Sequence, residues 1–226
     1  MPPFNLPFMK KPAQADAAQT GSQASQKNGA GQPTPSAGAP PPPTDDEVRL
    51  KIYRLIIDRY RDKIEEYETK SVSDLKLLVQ PRNERVAAMR ESLTESFHPY
   101  VYEEHFLSAA KMAFEYVSSF RTLSLPVSFW LDFTEMQQMM AGDEIDKSIL
   151  FCSLLRALGS ESAKVVVTDS RNSHVLFDFS GKFFVADHIQ KELVEKVSEA
   201  EAKTLMRGKP LYSFNDKDYE DFQETE

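Results

Sequence analysis

The sequence predicts an α+β fold in which a buried central helix packs on a small antiparallel sheet behind an N-terminal helical extension. Three observations carry this. Residues 143–158 are apolar on nearly every side of a helix. Residues 163–187 hold three short apolar runs, the last two joined by a two-residue turn. Residues 46–120 show helical apolar spacing broken by prolines.

Along the chain, residues 1–44 are rich in Ala, Gln, Ser, Gly and Pro and end in a run of prolines. Such a stretch buries too little apolar surface to offset the entropy of ordering it, so a disordered tail is expected. An apolar cluster near its start, Phe4, Leu6, Phe8 and Met9, reads either as an ordinary tail or as a tethered recognition peptide. Residues 45–95 form the helical extension. Thr44, Asp45 or Asp46 caps its first helix, and Val48, Ile52, Leu55 and Ile56 make one apolar stripe. Further helices are expected near 72–79 and 82–95, separated by Pro81.

Residues 96–190 are the expected core. A helix over 101–120 places Phe106, Ala110, Phe114 and Val117 on one face, and Pro126 breaks the chain after it. Asp143 and Asp146 resemble a capping box opening the central helix, and Gly159 stops it. Strands follow at 163–167, 173–179 and 182–187. The Ser180-Gly181 loop fixes a register in which Phe179 faces Lys182, Phe177 faces Phe184 and His174 faces Asp187. Opposed residues have Cβ atoms ~4.5–5.5 Å apart, so a His174–Asp187 contact is expected. Residues 191–226 are expected to form one helix, 192–206, and an acidic tail whose Tyr212, Phe214, Tyr219 and Phe222 pack on the core.

The formal charge of −8 over 226 residues and a pI near 5.2 argue against nucleic-acid or anionic-membrane partners, which need a basic face. No run approaches the ~18 apolar residues of a spanning helix. The start lacks the apolar segment of a secretory signal. The single cysteine, Cys152, permits no intrachain disulfide, which fits a cytoplasmic protein.

Gly142-Asp143-x-x-Asp146, Leu150, Leu154-Leu155-Arg156 and Gly159 together resemble the helix that opens the transglutaminase-like core of the papain-like superfamily. The resemblance covers about 126–188. It implies a Cys after the Gly-Asp pair, a His at the start of one strand and an Asp at the end of the next; the positions here are Glu144, His174 and Asp187. In such a site the helix dipole and imidazolium favour a thiolate, and the Asp orients the imidazole. A carboxylate at position 144 is a poor nucleophile toward amides. Cys152 lies ~12 Å further along the helix axis and reads as a small buried hydrophobe.

The resemblance therefore implies a degenerate triad and no catalysis of the family kind. The expected function is a non-catalytic protein- or peptide-binding module, with Glu144, His174, Asp187 and Trp130 as candidate binding residues. The alternative is an enzyme with altered chemistry that uses Glu144 or His174 as acid–base groups. If the fold holds, Glu144 and His174 are expected to lie close as a charged pair. No HExxH or paired-Cys spacing supports a metal site, and no cofactor is expected.

Overall fold

The computed structural model describes residues 44–127 and 129–222, so the expected disordered tail and its apolar cluster lie outside the described residues. The chain divides into two units, one ending at Ile56 and the other beginning at Ile57. Of the first unit, the described part is the opening half of helix α1 (Asp45–Glu68). Thr44 caps it, accepting from the Glu47 N–H at 3.3 Å while Glu47 Oε2 accepts from the Thr44 N–H at 2.8 Å. Val48, Leu50, Ile52, Tyr53, Leu55 and Ile56 are all exposed there.

The second unit is α+β. Helix α2 (Val72–Leu78) opens on a Ser71–Asp74 capping box, and α3 (Glu84–Thr94) on Asn83, whose side chain accepts from the Arg85 N–H. Helix α4 (Tyr102–Ser118) buries Phe106, Ala110, Phe114 and Val117, the face its spacing predicts. A two-residue parallel pair, β1 (Arg121–Thr122) with β2 (Ala141–Gly142), brackets α5 (Phe133–Met139), which an Asp132–Glu135 box caps.

Helix α6 (Glu144–Ala157) is the expected central helix. The Asp143–Asp146 capping box is formed, ten of its residues are buried, and Gly159 follows with φ of 109°. It packs against α3, α4 and the sheet.

Six antiparallel strands make that sheet: β3 (Lys164–Thr168), β4 (Ser173–Phe179), β5 (Lys182–Asp187), β6 (Glu192–Lys196), β7 (Pro210–Phe214) and β8 (Tyr219–Asp221), in the order β6-β5-β4-β3-β7-β8. The β4–β5 register is the predicted one, with Phe177 opposite Phe184 and Phe179 opposite Lys182. Val175, Phe177, Phe184 and Ala186 join the main core with α4 and α6, whereas Val166, Leu176 and Val185 join Ala202 and Met206 on the other face. Alternation along each strand produces the two faces.

The expected helix over 192–206 is not formed. Residues 192–196 pair with β5, and only Glu199–Thr204 is helical (α7), capped by Ser198. The expected tail is instead sheet: β7 pairs with β3 and β8 with β7. Phe214 is fully buried there, and Tyr212 and Tyr219 pack against the core. Among the described residues no helix is long and apolar enough to cross a membrane.

Candidate functional site

The start of α6, the start of β4, the end of β5 and the turn after α7 converge on one polar cluster. Strand alternation orders it. Ser173 points toward α6, where its hydroxyl lies 2.9 Å from that of Ser148. His174, one residue on, belongs with Leu176 to the opposite face, toward α7. Asp187 lies on that same face beside it, His174 Nδ1 to Asp187 Oδ2 being 3.6 Å. The predicted His–Asp proximity is present, but the separation is too long for a hydrogen bond.

Glu144 does not pair with His174. Its Oε1 accepts from the Ser173 N–H at 2.8 Å and from Arg207 Nη2 at 2.5 Å. The imidazole is fully buried and its Nε2 accepts the Arg207 backbone N–H at 3.0 Å, which leaves the proton on Nδ1 with no hydrogen-bond partner. Burial pushes the imidazole pKa down to about 4; Asp187 opposes this and Arg207 adds to it. The expected charged pair fails because a neutral imidazole is the cheaper state in this dry position and a guanidinium takes the carboxylate instead.

Arg207 is the residue that organises the cluster. Its Nε donates to Asp187 Oδ2 at 2.7 Å, Nη1 to Asn172 Oδ1 at 3.0 Å, and Nη2 to Glu144. Its carbonyl accepts from Thr168 Oγ1 at 2.7 Å and from Asn172 Nδ2 at 3.1 Å. All three guanidinium nitrogens are therefore engaged. Gly208 follows with φ of 100°, and a Cβ there would lie 2.5 Å from Asp169 Oδ1, so the turn that aims Arg207 requires glycine.

The two carboxylates respond differently to the shared cation. Burial pushes Asp187 up, but the Gln190 N–H, the guanidinium and the Ile189 N–H outweigh it and hold the carboxyl below its ordinary value. For Glu144 burial wins over the Ser173 N–H and Arg207, and the nearby Asp187 charge adds to it, so its pKa is raised.

Of the degenerate triad, Glu144 lines an open groove of about 700 Å³ whose walls do not include His174 or Asp187. Arg171, Thr122, Ser124, Arg61 and Glu65 are among its other walls. His174 and Asp187 stand behind it, buried. Trp130 is not part of this groove. Its indole N–H donates to the Glu68 carbonyl at 2.9 Å, and its ring lines a separate cavity of about 160 Å³ with Asp146 and Ile149.

Two further buried groups lie near the cluster. Lys147 donates to the Phe120 carbonyl at 2.5 Å and to Thr122 Oγ1 at 2.8 Å, tying α6 to β1, and burial followed by Lys191 lowers its pKa. His188 contacts Ser118 Oγ through Nδ1 at 3.1 Å, sits between the rings of Phe114 and Phe151, and is pushed down to about 3 by burial. Cys152 is fully buried and its thiol is pushed up by burial, so it supplies no thiolate. Among the described residues no group of three His, Cys, Asp or Glu side chains is placed to hold a metal ion.

Sequence reasoning missed Arg207, Asn172, Lys147 and His188. Arg207 stands 33 residues from His174 and 63 from Glu144, and no local spacing connects them. The one available signal was that a buried His and two carboxylates at the mouth of a sheet call for a cation, and Arg207-Gly208 has the form of a cation held in a tight turn.

No protein-family model matches the sequence, and no curated protein does either. Among solved structures the chain is similar to LapG of Legionella pneumophila, with a TM-score of 0.46 at 15% identity over 72% of this chain and 87% of that one. The calcium-bound form of the same protein gives 0.45 at 13% identity over 72% and 87%. The EGTA-treated form gives 0.44 at 13% over 73% and 91%.

Proposed function

We propose that the chain is a non-catalytic domain of transglutaminase-like type that binds a protein or peptide segment in the groove beside Glu144. One observation carries this reading: the side chains that would do chemistry are consumed by Arg207. The imidazole has no access to solvent and accepts a main-chain N–H on the nitrogen that a base would use. Glu144 and Asp187 are both held by the guanidinium. A general base must reach the proton that it abstracts, and His174 reaches none.

The open groove supports binding. Its walls mix Leu123, Leu125, Val127 and Ile145 with charges of both signs, Arg61 and Arg171 against Glu65, Asp143 and Glu144. Apolar walls with a few fixed polar groups are what a recognised segment needs for affinity and orientation.

Selection of the full-length chain against a displayed peptide library tests this. Selected peptides should lose about tenfold in affinity, ~1.4 kcal/mol, when Arg171→Glu reverses one wall of the groove. Selected peptides indifferent to that change would move the binding surface elsewhere. Turnover of broad peptidase, amidase or esterase substrates that disappears in Glu144→Gln would instead establish the enzyme with altered chemistry.

A further inference from the structure

The connection from β6 to β7, residues 197–209, has to cross the sheet, because β5, β4 and β3 lie between those two strands. It crosses on the face that carries His174, and little apolar surface holds it there. Ala202 and Met206 are its buried side chains, and they meet Val166, Leu176 and Val185 in a small cluster apart from the main core. Val197 at its start is 73% accessible and Leu205 41%. Its helix, α7, is six residues long, too short to hold itself together without packing.

What fastens this segment is mainly polar. At its far end the Arg207 guanidinium holds Asp187, Asn172 and Glu144, while its main-chain N–H and carbonyl engage His174 Nε2, Thr168 and Asn172. Asp169 completes the fastening: its N–H donates to the Lys209 carbonyl at 2.9 Å, and its Oδ1 accepts the Lys209 N–H at 3.0 Å. Nearer its start, Glu199 pairs with Lys164 at 3.3 Å and Lys203 at 3.1 Å, and Lys203 lies over the Phe222 ring at 4.4 Å. Those pairs are partly exposed, and water screens them.

Strand β4 beneath is the opposite case. It pairs along both edges, with β3 and β5, and it sends Val175 and Phe177 into the main core. A segment with few buried apolar contacts has its own, lower opening free energy than the strands it lies on. We infer that residues 197–209 form a strap that opens while the sheet stays folded, with Arg207 as the latch, and that opening uncovers the His174 imidazole. Closed, the strap supplies the N–H that occupies Nε2. Open, it leaves that nitrogen free to accept a proton or a ligand's donor. The inference does not depend on the binding reading of the Glu144 groove, since Glu144 belongs to α6 and not to the strap.

Native-state hydrogen exchange of the full-length chain at increasing, sub-denaturing urea tests this. The bonded amides of Ala202, Met206 and Arg207 should exchange at least about tenfold faster than those of Val175, Leu176 and Phe177. Their rates should also rise little with urea, because a local opening exposes little surface, whereas the β4 amides should follow the slope of global unfolding. Arg207→Met should speed the strap amides at least about tenfold. Diethyl pyrocarbonate gives a second readout. His188 is caged by Phe114 and Phe151, away from the strap, so His174 should be modified at least about tenfold faster than His188, and faster again in Arg207→Met. Strap amides that share the urea slope of β4, one common rate for the two histidines, or strap rates unchanged by Arg207→Met would each overturn the inference. If Arg207→Met does not fold, the wild-type slopes and the two histidine rates still decide it.

Discussion

Removing the Arg207 guanidinium should cost about 3 kcal/mol of stability, and Arg207→Met is the variant to make because the thioether keeps the stem and deletes the charge. The side chain donates at 2.7 Å to Asp187 and at 2.5 Å to Glu144, and these partners are only 9% and 18% exposed. Hydrogen bonds to charged groups contribute about 1.5–3 kcal/mol net, and stranding one side of a buried pair costs about 3–5 kcal/mol. The arginine itself is 27% exposed, which places the expected loss at the lower end of the second range. For a chain of this size that corresponds to a fall of about 6–12 °C in unfolding temperature. Urea unfolding at pH 7, followed by circular dichroism, measures the free energy directly. Adding Glu144→Gln to Arg207→Met should recover part of the loss, because one of the two stranded carboxylates is gone. The wild-type advantage should also shrink in acid. Asp187 is held below its ordinary pKa, so its stabilising contribution is present above the unfolded value near 4 and is lost as pH falls through the folded one. An Arg207→Met protein within about 1 kcal/mol of wild type at pH 7 would refute the view that this cation holds the cluster together.

Three other outcomes follow from the same geometry. Gly208→Ala places a Cβ at positive φ against Asp169 Oδ1 and Ser170 Oγ, so urea unfolding should show a loss of about 1–3 kcal/mol. His188, held near pKa 3, stays neutral in the fold while the unfolded chain takes up protons below its ordinary pKa. Its contribution is thus present above pH 6.5 and lost as pH falls toward 3, by about 2 kcal/mol at pH 5, and the advantage of wild type over His188→Gln should narrow by that amount between pH 7 and 5. Asp146 behaves oppositely. Burial, then the Asp143 charge, push it up to about 7, so its contribution is fully present below the unfolded pKa and is lost as pH rises through 7. The stability of wild type relative to Asp146→Asn should fall from pH 5 to pH 7 and level off above pH 7 in parallel urea titrations.

What the sequence disclosed is mostly local. The Asp143–Asp146 capping box, the buried character of α6 and the β4–β5 register all follow from spacings within about a dozen residues, and all three are present. Glu, Lys and Ala favour helix locally over 192–206, but Leu193 and Val194 gain more by pairing with Ala186 and Val185 on the sheet edge. The cluster was legible only in its members. Glu144, His174 and Asp187 are recognisable by order, but their state depends on Arg207, which reaches Asp187 across 20 residues and Glu144 across 63. Trp130 lies close in sequence to the central helix, yet α1, through the Glu68 carbonyl, directs its indole into another cavity.

The cluster is structural because its imidazole carries the proton on Nδ1 and accepts a main-chain N–H on Nε2. Long-range nitrogen–proton NMR spectra of the full-length chain report both properties of His174 directly. The expected spectrum shows a protonated Nδ1 and an unprotonated Nε2 from pH 8 down to pH 5, without titration. A His174 signal that titrates near pH 6.5, or one with the proton on Nε2, would mean a base available for chemistry and would contradict the assignment of this cluster to structure.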